Sequence, residues 1–369
     1  MPDTDDIATP TLAELGWTER EVALFASHAD AGLIPGRVSR VDRSLPLIIT
    51  EAGARRAEPA THLIKTHDIA SRAVVGDWVA LAIPEGHDQA IIEAILPRTS
   101  AFVRKDPGEQ TDEQVLIANA DIVFVVQSLS GKGINVRRLE RELVLAWESG
   151  AKPIVVLTKA DISEDIEYQR KLAEDVAPGV DVIIESAVTG TGLDEVRAQI
   201  RQGVTAALLG GSGVGKSTLV NRLVGGEQQA TAEVRKSDDK GRHTTVAREI
   251  VIVPGGGVII DTPGMRAVAL WDAADGIASA FPDIDALAEQ CKFTDCRHET
   301  EPGCAVIAAV EAGELPQRRL DSYRTLRTEL AALSRKQDEK AWAAKEPATK
   351  AIAKAAKSYF KNNPGKKQR

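Results

Sequence analysis

The chain has 369 residues, of which 43% are hydrophobic and 27% are charged, and its formal net charge is −8. This composition indicates a globular protein long enough for two or three domains. No run of about 18 apolar residues occurs, which argues against a membrane span. The acidic N-terminus lacks the apolar core of a secretory signal, and the three cysteines lie in one short stretch. We therefore expect a cytoplasmic protein without disulfides and without a membrane partner.

The N-terminal third divides into two segments. Residues 1–32 are predicted to form a helical extension, since apolar side chains recur at helical spacing over 11–30. Residues 33–100 contain short β-rich runs separated by turns, a pattern that predicts a small β-barrel, either an OB-fold or another barrel of that size. The polar segment 98–114 interrupts the pattern and is interpreted as a linker.

From residue 115 apolar strands alternate with amphipathic helices, which predicts a mostly parallel sheet with helices on both faces over a domain of 101–275. The predicted strands are 120–129, 152–161, 180–187, 205–210 and two within 249–264, and the predicted helices are 135–150, 193–200 and 216–225. A mostly helical domain is predicted over 276–335.

The C-terminal tail, 336–369, is strongly basic. Residues 335–369 hold 11 Lys/Arg and 3 Asp/Glu, a net charge of +8, so the remainder of the −8 chain carries −16. Four lysines of the tail share one arc of a helical wheel, namely Lys350, Lys354, Lys357 and Lys361. The pattern predicts a basic amphipathic helix with an anionic partner; a solvated helix and a membrane-surface helix are the alternatives.

Residues 210–217 read GGSGVGKS, a phosphate loop of the form G-x-x-x-x-G-K-[ST], between a predicted strand and a predicted helix. Backbone N–H groups of such a loop bind phosphates. Lys216 is expected to reach the β- and γ-phosphates, and Ser217 to bind Mg²⁺. The predicted nucleotide contacts of the loop are Gly210, Gly211, Ser212, Gly213, Val214, Gly215, Lys216, Ser217 and Thr218.

A second phosphate-side motif, DTPG, ends the apolar run at 261–264. Asp261 is expected to hold Mg²⁺ and the Gly264 N–H to sense the γ-phosphate, as in nucleotide switches. Between the two motifs lies the polar segment 236–247, a predicted switch loop. A switch needs a threonine that binds Mg²⁺ in the triphosphate state, and either Thr244 or Thr245 could serve.

The motif TKAD at 158–161 predicts that the bound base is guanine. The Asp161 carboxylate can accept hydrogen bonds from guanine N1–H and the exocyclic amine, a pair that adenine does not offer. The Lys159 stem is expected along the base, and Ser186 and Ala187 form the second base-contact loop. Thr158 stands where the motif usually has Asn. These base-reading motifs precede the phosphate loop, whereas in a Ras-like GTPase they follow it.

Together these residues resemble the circularly permuted ribosome small subunit-dependent GTPase A family. Further matching stretches are VGDWVAL, ANADIVFVVQSL, GRHTT, GGGVIIDTPG and the cysteine cluster with its EPGC, and the match runs from about 33 to 330. The resemblance implies an N-terminal OB-fold, a permuted P-loop GTPase domain and a C-terminal zinc domain. It also implies a cytoplasmic factor that binds the small ribosomal subunit and its 16S rRNA late in maturation. We expect a monomer.

The glutamine that usually orients the catalytic water is absent from the expected position. Ras-like enzymes place Gln directly after D-x-x-G, whereas this chain has Met265. His243, in the predicted switch, is hypothesised to orient the water, with Lys216 and Thr245 completing the catalytic set. An exposed loop histidine is the alternative.

Cys291, Cys296, His298 and Cys304 give the pattern C-x4-C-x-H-x5-C. Three thiolates and an imidazole suit one tetrahedral structural Zn²⁺. Three reduced thiols in a core are the alternative.

The leading functional hypothesis is a GTPase stimulated by the small ribosomal subunit. A GTP-gated rRNA-binding module with incidental turnover and a permuted GTPase of the large subunit are the rivals. Since the chain runs from the DTPG switch toward Cys291, the permutation is further predicted to couple GTP state to the zinc domain.

Overall fold

The fold is given by a computed structural model. It describes residues 10–41, 45–65, 72–84, 86, 89–105, 113–225, 248–261, 274–332 and 335. No helix within these ranges is both long and apolar enough to cross a bilayer.

The N-terminal strands close into a five-stranded barrel. They are β1 (Ile34–Val41), β2 (Leu47–Thr50), β3 (Gly53–Pro59), β4 (Trp78–Ala82) and β5 (Ala90–Ile95), with α2 (Thr61–Lys65) between β3 and β4. The strand order is β1-β2-β3-β5-β4, and β4 pairs back with β1 so that Ile34 lies opposite Leu81. Buried Val38, Ile48 and Ile92 contribute to the barrel core. The prediction of an OB-type barrel is confirmed.

Helix α1 (Glu19–Asp30) and the turns before it pack on the barrel. One buried guanidinium joins this region to its neighbours: Arg37, 1% exposed, donates to the carbonyls of Leu15, Gly76 and Asn119. These carbonyls belong to the N-terminal segment, the barrel and the residues before the α/β domain. Burial lowers the pKa of Arg37 to about 10, so the group keeps its charge at neutral pH.

The predicted α/β domain is present, with helices on both faces of a mostly parallel sheet. Its strands are β8 (Ile122–Ser128), β9 (Lys152–Thr158), β10 (Val182–Ile184), β11 (Thr205–Gly210), β12 (Arg248–Ile252) and β13 (Val258–Asp261), and its helices are α3 (Val136–Glu148), α4 (Ile166–Val176), α5 (Leu193–Gln199) and α6 (Lys216–Val224). The order is β10-β9-β8-β11-β13-β12, and only β12 is antiparallel to its neighbour here. Along β8, Val123 and Val125 face one apolar core, and Phe124 and Val126 face the other. A strand buried on both faces explains the continuous apolar run.

The barrel and the α/β domain share one eleven-stranded sheet. Barrel strand β1 pairs antiparallel with β12, and Arg40 lies opposite Glu249 and Val41 opposite Arg248. The sequence did not predict this pairing, because no local pattern marks which distant edge a strand will meet.

The interpretation of 98–114 as a linker is wrong at both ends of that segment. Strands β6 (Ala101–Lys105) and β7 (Glu113–Ala118) form a separate antiparallel hairpin. Phe102 and Ile117 are buried on one face of it. The polar sequence of 104–114 concealed the two short strands at its ends.

The C-terminal region is helical, as predicted. It contains α7 (Ala274–Ala280), α8 (Pro282–Ala288), α9 (Ala305–Glu311) and a helix over 317–332, here α10. Its apolar residues Phe281, Ile284 and Leu326 lie in the same core as Leu139 and Leu143 of α3. The helices that flank the cysteines are therefore built directly onto one face of the α/β sheet.

Candidate nucleotide and metal sites

The phosphate loop follows β11, a strand between β8 and β13 in the middle of the α/β sheet. Gly215 has φ +105° and directly precedes α6, a backbone conformation that side chains rarely adopt. Helix α6 therefore begins at Lys216 with its N-terminus at the loop, where its dipole favours an anion. Ser217 and Thr218 are exposed in the first turn. The loop has the architecture that the motif predicts.

Lys216 folds back over its own loop. Its Nζ donates to the carbonyls of Gly210 at 2.7 Å and Gly211 at 2.6 Å. The ammonium is therefore held at the first half of the loop. A phosphate bound there would be within reach of this cation.

Of the two loops predicted to contact guanine, 158–161 lies against the phosphate loop, and 186–187 contacts 158–161. The Ser186 hydroxyl donates to the Asp161 carboxylate at 2.6 Å, which fixes the orientation of that carboxylate. Lys159 adopts a left-handed backbone (φ +61°), and its Nζ donates to the Gly213 carbonyl at 2.7 Å. Asp161 itself is exposed. An oriented, accessible carboxylate beside a phosphate loop is suited to accept the two N–H groups of guanine.

Thr158 lies inside the protein, only 1% exposed. Its hydroxyl contacts the carbonyl of Val214 in the phosphate loop and the carbonyl of Gln127 on β8 at 3.2 Å. The threonine that replaces the usual Asn thus connects the base-reading motif to the phosphate loop from within. This contact was not foreseen from the sequence.

A buried carboxyl lies beneath the base-reading loops. Glu185, 1% exposed, directly precedes Ser186, and its Oε1 has no hydrogen-bond partner among the described residues. Burial and the nearby Asp161 charge raise the pKa of Glu185 to about 7, while Arg222 opposes the shift. The sequence did not single out Glu185, because only the structure shows that its side chain is buried.

Asp261 is the last residue of β13, which runs parallel to β11. It therefore lies toward the same edge of the sheet as the phosphate loop, where a carboxylate could bind Mg²⁺ with Ser217. The remaining predicted switch and catalytic residues lie outside the described residues: His243, Thr244, Thr245 and Gly264.

A second group that the sequence did not reveal is an ion pair on α3. Arg138 Nε donates to Glu142 at 2.9 Å, and the Arg138 guanidinium lies against Gly211 of the phosphate loop, where a Cβ would be 2.7 Å from Nη1. Gln127 Nε2 donates to the same carboxylate at 2.5 Å. Burial raises the pKa of Glu142, and the neighbouring Arg138, Gln127 and Lys216 oppose the shift.

The four predicted metal ligands converge. Their ligand atoms all lie within 4.8 Å of one another. His298 Nδ1 is 3.6 Å from Cys291 Sγ and 3.4 Å from Cys304 Sγ, and the two sulfurs are 3.9 Å apart. Tetrahedral Zn²⁺ with bonds of about 2.3 Å to sulfur and about 2.0 Å to nitrogen sets its ligand atoms about 3.6 to 3.8 Å apart. The donor set therefore fits zinc.

The loop that carries these ligands is held by hydrogen bonds between its backbone and the Glu301 side chain. The Glu301 carboxylate accepts hydrogen bonds from the backbone N–H groups of Arg297, Glu299 and Thr300, and such bonds lower its pKa to about 2. Burial lowers the pKa of His298, which favours the neutral imidazole that binds metal. Four protein donors would fill the tetrahedral shell of one zinc ion, so the arrangement suits a structural ion.

Known proteins resemble this chain along most of its length. A family profile described as "RsgA GTPase" matches residues 95–271, and one described as "50S ribosome-binding GTPase" matches residues 205–340. The "Small ribosomal subunit biogenesis GTPase RsgA" of Streptomyces coelicolor is 46% identical over 333 residues, which is 89% of each chain.

Solved structures agree with the sequence comparison. The crystal structure of YjeQ from Thermotoga maritima superimposes with a TM-score of 0.62 at 25% identity, covering 81% of this chain and 99% of that one. The structure titled "YloQ, a circularly permuted GTPase" gives 0.59 at 25% identity, covering 81% and 96%. The strand order, the inverted order of the nucleotide motifs and the extent of identity lead to one conclusion: the chain belongs to the RsgA GTPase family.

Proposed function

We propose that this protein is a GTPase that binds the small (30S) ribosomal subunit and hydrolyses GTP to GDP and phosphate during late maturation of that subunit. The observation that carries the proposal is the contact between the base-reading and phosphate-binding motifs. Asp161 is oriented by Ser186, and Lys159 of the same motif binds Gly213 of the phosphate loop. One nucleotide can therefore contact both motifs at once.

The choice of the small subunit over the large one is supported by the length of the match. The Streptomyces relative, whose name refers to the small subunit, covers 89% of the chain. The profile whose description refers to the 50S ribosome covers residues 205–340 alone. The OB-fold barrel is compatible with contacts to the 16S rRNA, since this fold binds oligonucleotides. A cytoplasmic location and a monomeric state complete the proposal.

Mg²⁺ accompanies GTP in this proposal. Ser217 and Asp261 would hold the ion, together with Thr244 or Thr245 of the switch. His243 would orient the attacking water, because Met265 follows the D-x-x-G motif and has no group to do so. Replacing His243 with Ala should lower subunit-stimulated turnover and leave GTP affinity unchanged; equal turnover would contradict its role.

One zinc ion is proposed for the cluster of Cys291, Cys296, His298 and Cys304. With all four positions taken by protein, the ion would hold the C-terminal helices together and would take no part in hydrolysis.

A GTP-gated rRNA-binding module is the second candidate, and Met265 is the observation that favours it. Such a protein would use GTP to control binding and would turn it over only incidentally. The two candidates differ in what the subunit does to the rate of hydrolysis.

The deciding experiment measures GTP turnover by the full chain with and without purified small subunits, with ATP and large subunits as controls. An enzyme should be stimulated by about tenfold or more by small subunits. GTP-dependent subunit binding without stimulation would support the binding module. Asp161→Asn should weaken GTP use and favour xanthosine triphosphate, since the amide would donate to the xanthine C2 carbonyl.

A further inference from the structure

The α/β domain contains two Arg–Glu pairs of the same kind in different places. Arg138 Nε is 2.9 Å from Glu142 on α3, and Arg170 Nε is 2.9 Å from Glu174 on α4. The two arginine side chains are 44% and 46% exposed. As isolated pairs on a helix, both would stabilise their helices only weakly. The two pairs have the same geometry and differ in the residues that surround them.

Arg138 is the member of this set that reaches the phosphate loop. Its guanidinium lies against Gly211 so closely that a Cβ on Gly211 would be 2.7 Å from Nη1 and 2.8 Å from Cζ. Lys216 Nζ donates to the carbonyl of the same Gly211. Two cations therefore converge on one residue of the loop. Lys216 belongs at the β- and γ-phosphates in loops of this type, so the guanidinium is close to that end.

The charges around Gly211 are unbalanced in favour of an anion. The Glu142 carboxylate accepts hydrogen bonds from Arg138 and from Gln127, and the Lys216 charge opposes the rise in its pKa that burial causes. When the guanidinium leaves the carboxylate, Glu142 keeps the hydrogen bond from Gln127 Nε2 and remains under the influence of the Lys216 charge. Arg138, Lys216 and Glu142 together carry one net positive charge. With the N–H groups of the loop, this charge suits a phosphate oxygen.

The arginine also has room to move. Arg138 lines a cavity of about 460 Å³ between α3 and α10, and Gly210 of the phosphate loop lines the same cavity. A half-exposed, five-donor side chain at such an opening can turn from Glu142 toward the loop without displacing packed residues.

We propose that Arg138 is a second cation for the terminal phosphate of GTP, acting beside Lys216. The proposal rests on the proposed function, in which residues 210–218 bind GTP. A guanidinium can stabilise the charge that develops on the transferred phosphoryl group, and this chain supplies it from within its own α3. No covalent step is added to hydrolysis. The residue contributes binding to the γ-phosphate and little to a diphosphate.

The test compares Arg138→Met with Arg170→Met, the matched pair on α4, and with Arg138→Lys. Affinities for GDP and for a non-hydrolysable GTP analogue are measured with the full chain, together with the GTP turnover number at saturating GTP, with small subunits present. Arg138→Met should weaken the analogue about tenfold, leave GDP within about twofold, and lower turnover about tenfold or more. Arg138→Lys should restore part of each loss, and Arg170→Met should match the unmodified chain.

Arg138 could instead act only by neutralising Glu142. The double variant Arg138→Met, Glu142→Gln distinguishes the two, because the arginine then has no carboxylate to neutralise. If the analogue still binds about tenfold more weakly than to Glu142→Gln alone, the proposal stands. It is overturned if the difference disappears there, or if Arg138→Met weakens GDP and the analogue equally. Thermal melting of each variant identifies misfolding, in which case the same affinities measured on Arg138→Lys decide the question. Failure of the unmodified chain to bind GTP would overturn the proposed function instead.

Discussion

Arg40 of barrel strand β1 lies directly opposite Glu249 of β12, and this pairing joins the barrel to the sheet that carries the phosphate loop. Strand β12 begins at Arg248, immediately after the proposed switch segment 236–247. A change in that segment can therefore reach the barrel through backbone hydrogen bonds. The sequence predicts coupling of nucleotide state to the domain that holds the cysteine cluster, and the β1–β12 pairing adds a route to the barrel.

The first prediction concerns the pairing of β1 with β12. Amide hydrogen exchange of Arg40 and Val41 should be slower with a bound GTP analogue than with GDP, because an ordered switch would stabilise β12 and its ladder with β1. The turn between β2 and β3, at Glu51 and Ala52, lies outside the β1–β12 ladder and serves as the internal control. Equal exchange of β1 in the two nucleotide states would show that the barrel does not follow the nucleotide.

The second prediction concerns the attachment of the C-terminal helices. Arg319 is 1% exposed; it forms a two-point ion pair with Asp283, lies 3.6 Å from Glu140 of α3, and stacks 4.6 Å over Phe281. Removing one partner of a buried ion pair leaves an uncompensated charge. Arg319→Met should lower the free energy of unfolding by about 3 kcal/mol or more, measured by urea denaturation at pH 8.

The adjacent, exposed Arg318 provides the control, and Arg318→Met should change stability by less than about 0.5 kcal/mol. Burial already raises the pKa of Glu140, and the Ser322 hydroxyl, Arg319 and, to a smaller extent, Arg318 oppose the shift. Without Arg319 the Glu140 carboxyl can avoid its unpaired charge by taking a proton, so the loss should be smaller at pH 5 than at pH 8. Similar losses for the two arginine variants would mean that the buried pair does not hold the helices.

Candidate site residues can be located from the sequence where they lie close together in the chain. The phosphate loop and TKAD are short continuous stretches and C-x4-C-x-H-x5-C spans only 291–304; the structure brings the four residues of that pattern together, and it brings Asp161 to Ser186. Binary patterning was likewise enough for the alternating strands and helices, because both faces of β8 are buried.

The features that the sequence did not predict depend on contacts between distant segments of the chain. Arg138 is one of several arginines on an amphipathic helix until Gly211 is seen against it. Thr158 looks like a weakened base contact until its bond to Val214 is known. The β1–β12 pairing also has no local signature. In each case the partner is chosen by tertiary packing, which no single stretch of sequence records.

The third prediction tests the metal cluster. The purified chain should hold about one zinc, and His298→Ala should lose it and lower the melting temperature by about 5 °C or more, since metal binding contributes to folding. His62→Ala is the matched control: this exposed histidine contacts the Glu93 carbonyl at 3.0 Å and lies outside the cluster. Elemental analysis and thermal melting give both readouts. A full zinc content in the His298 variant would rule out its role as a ligand.

The last prediction follows from the buried carboxyl of Glu185. Its pKa in the folded protein is raised to about 7 from an ordinary value of 4.5, chiefly by burial. Between these two values the folded protein keeps a proton that the unfolded chain has released. Its contribution to stability is therefore fully present below about pH 4.5 and is lost as the pH rises through about 7.

Glu185→Gln replaces the carboxyl with a neutral group of the same shape, so the contribution should become independent of pH. The free energy of unfolding of the unmodified chain, compared with this variant, should fall by up to about 3 kcal/mol between pH 4.5 and pH 8. Glu174→Gln, which removes an exposed carboxylate on α4, is the control and should follow the unmodified chain. A constant difference between the unmodified chain and Glu185→Gln would mean that Glu185 is ionised throughout. The charge would then have a partner beneath the base-reading loop, and the neighbouring Asp161 would face a balanced site.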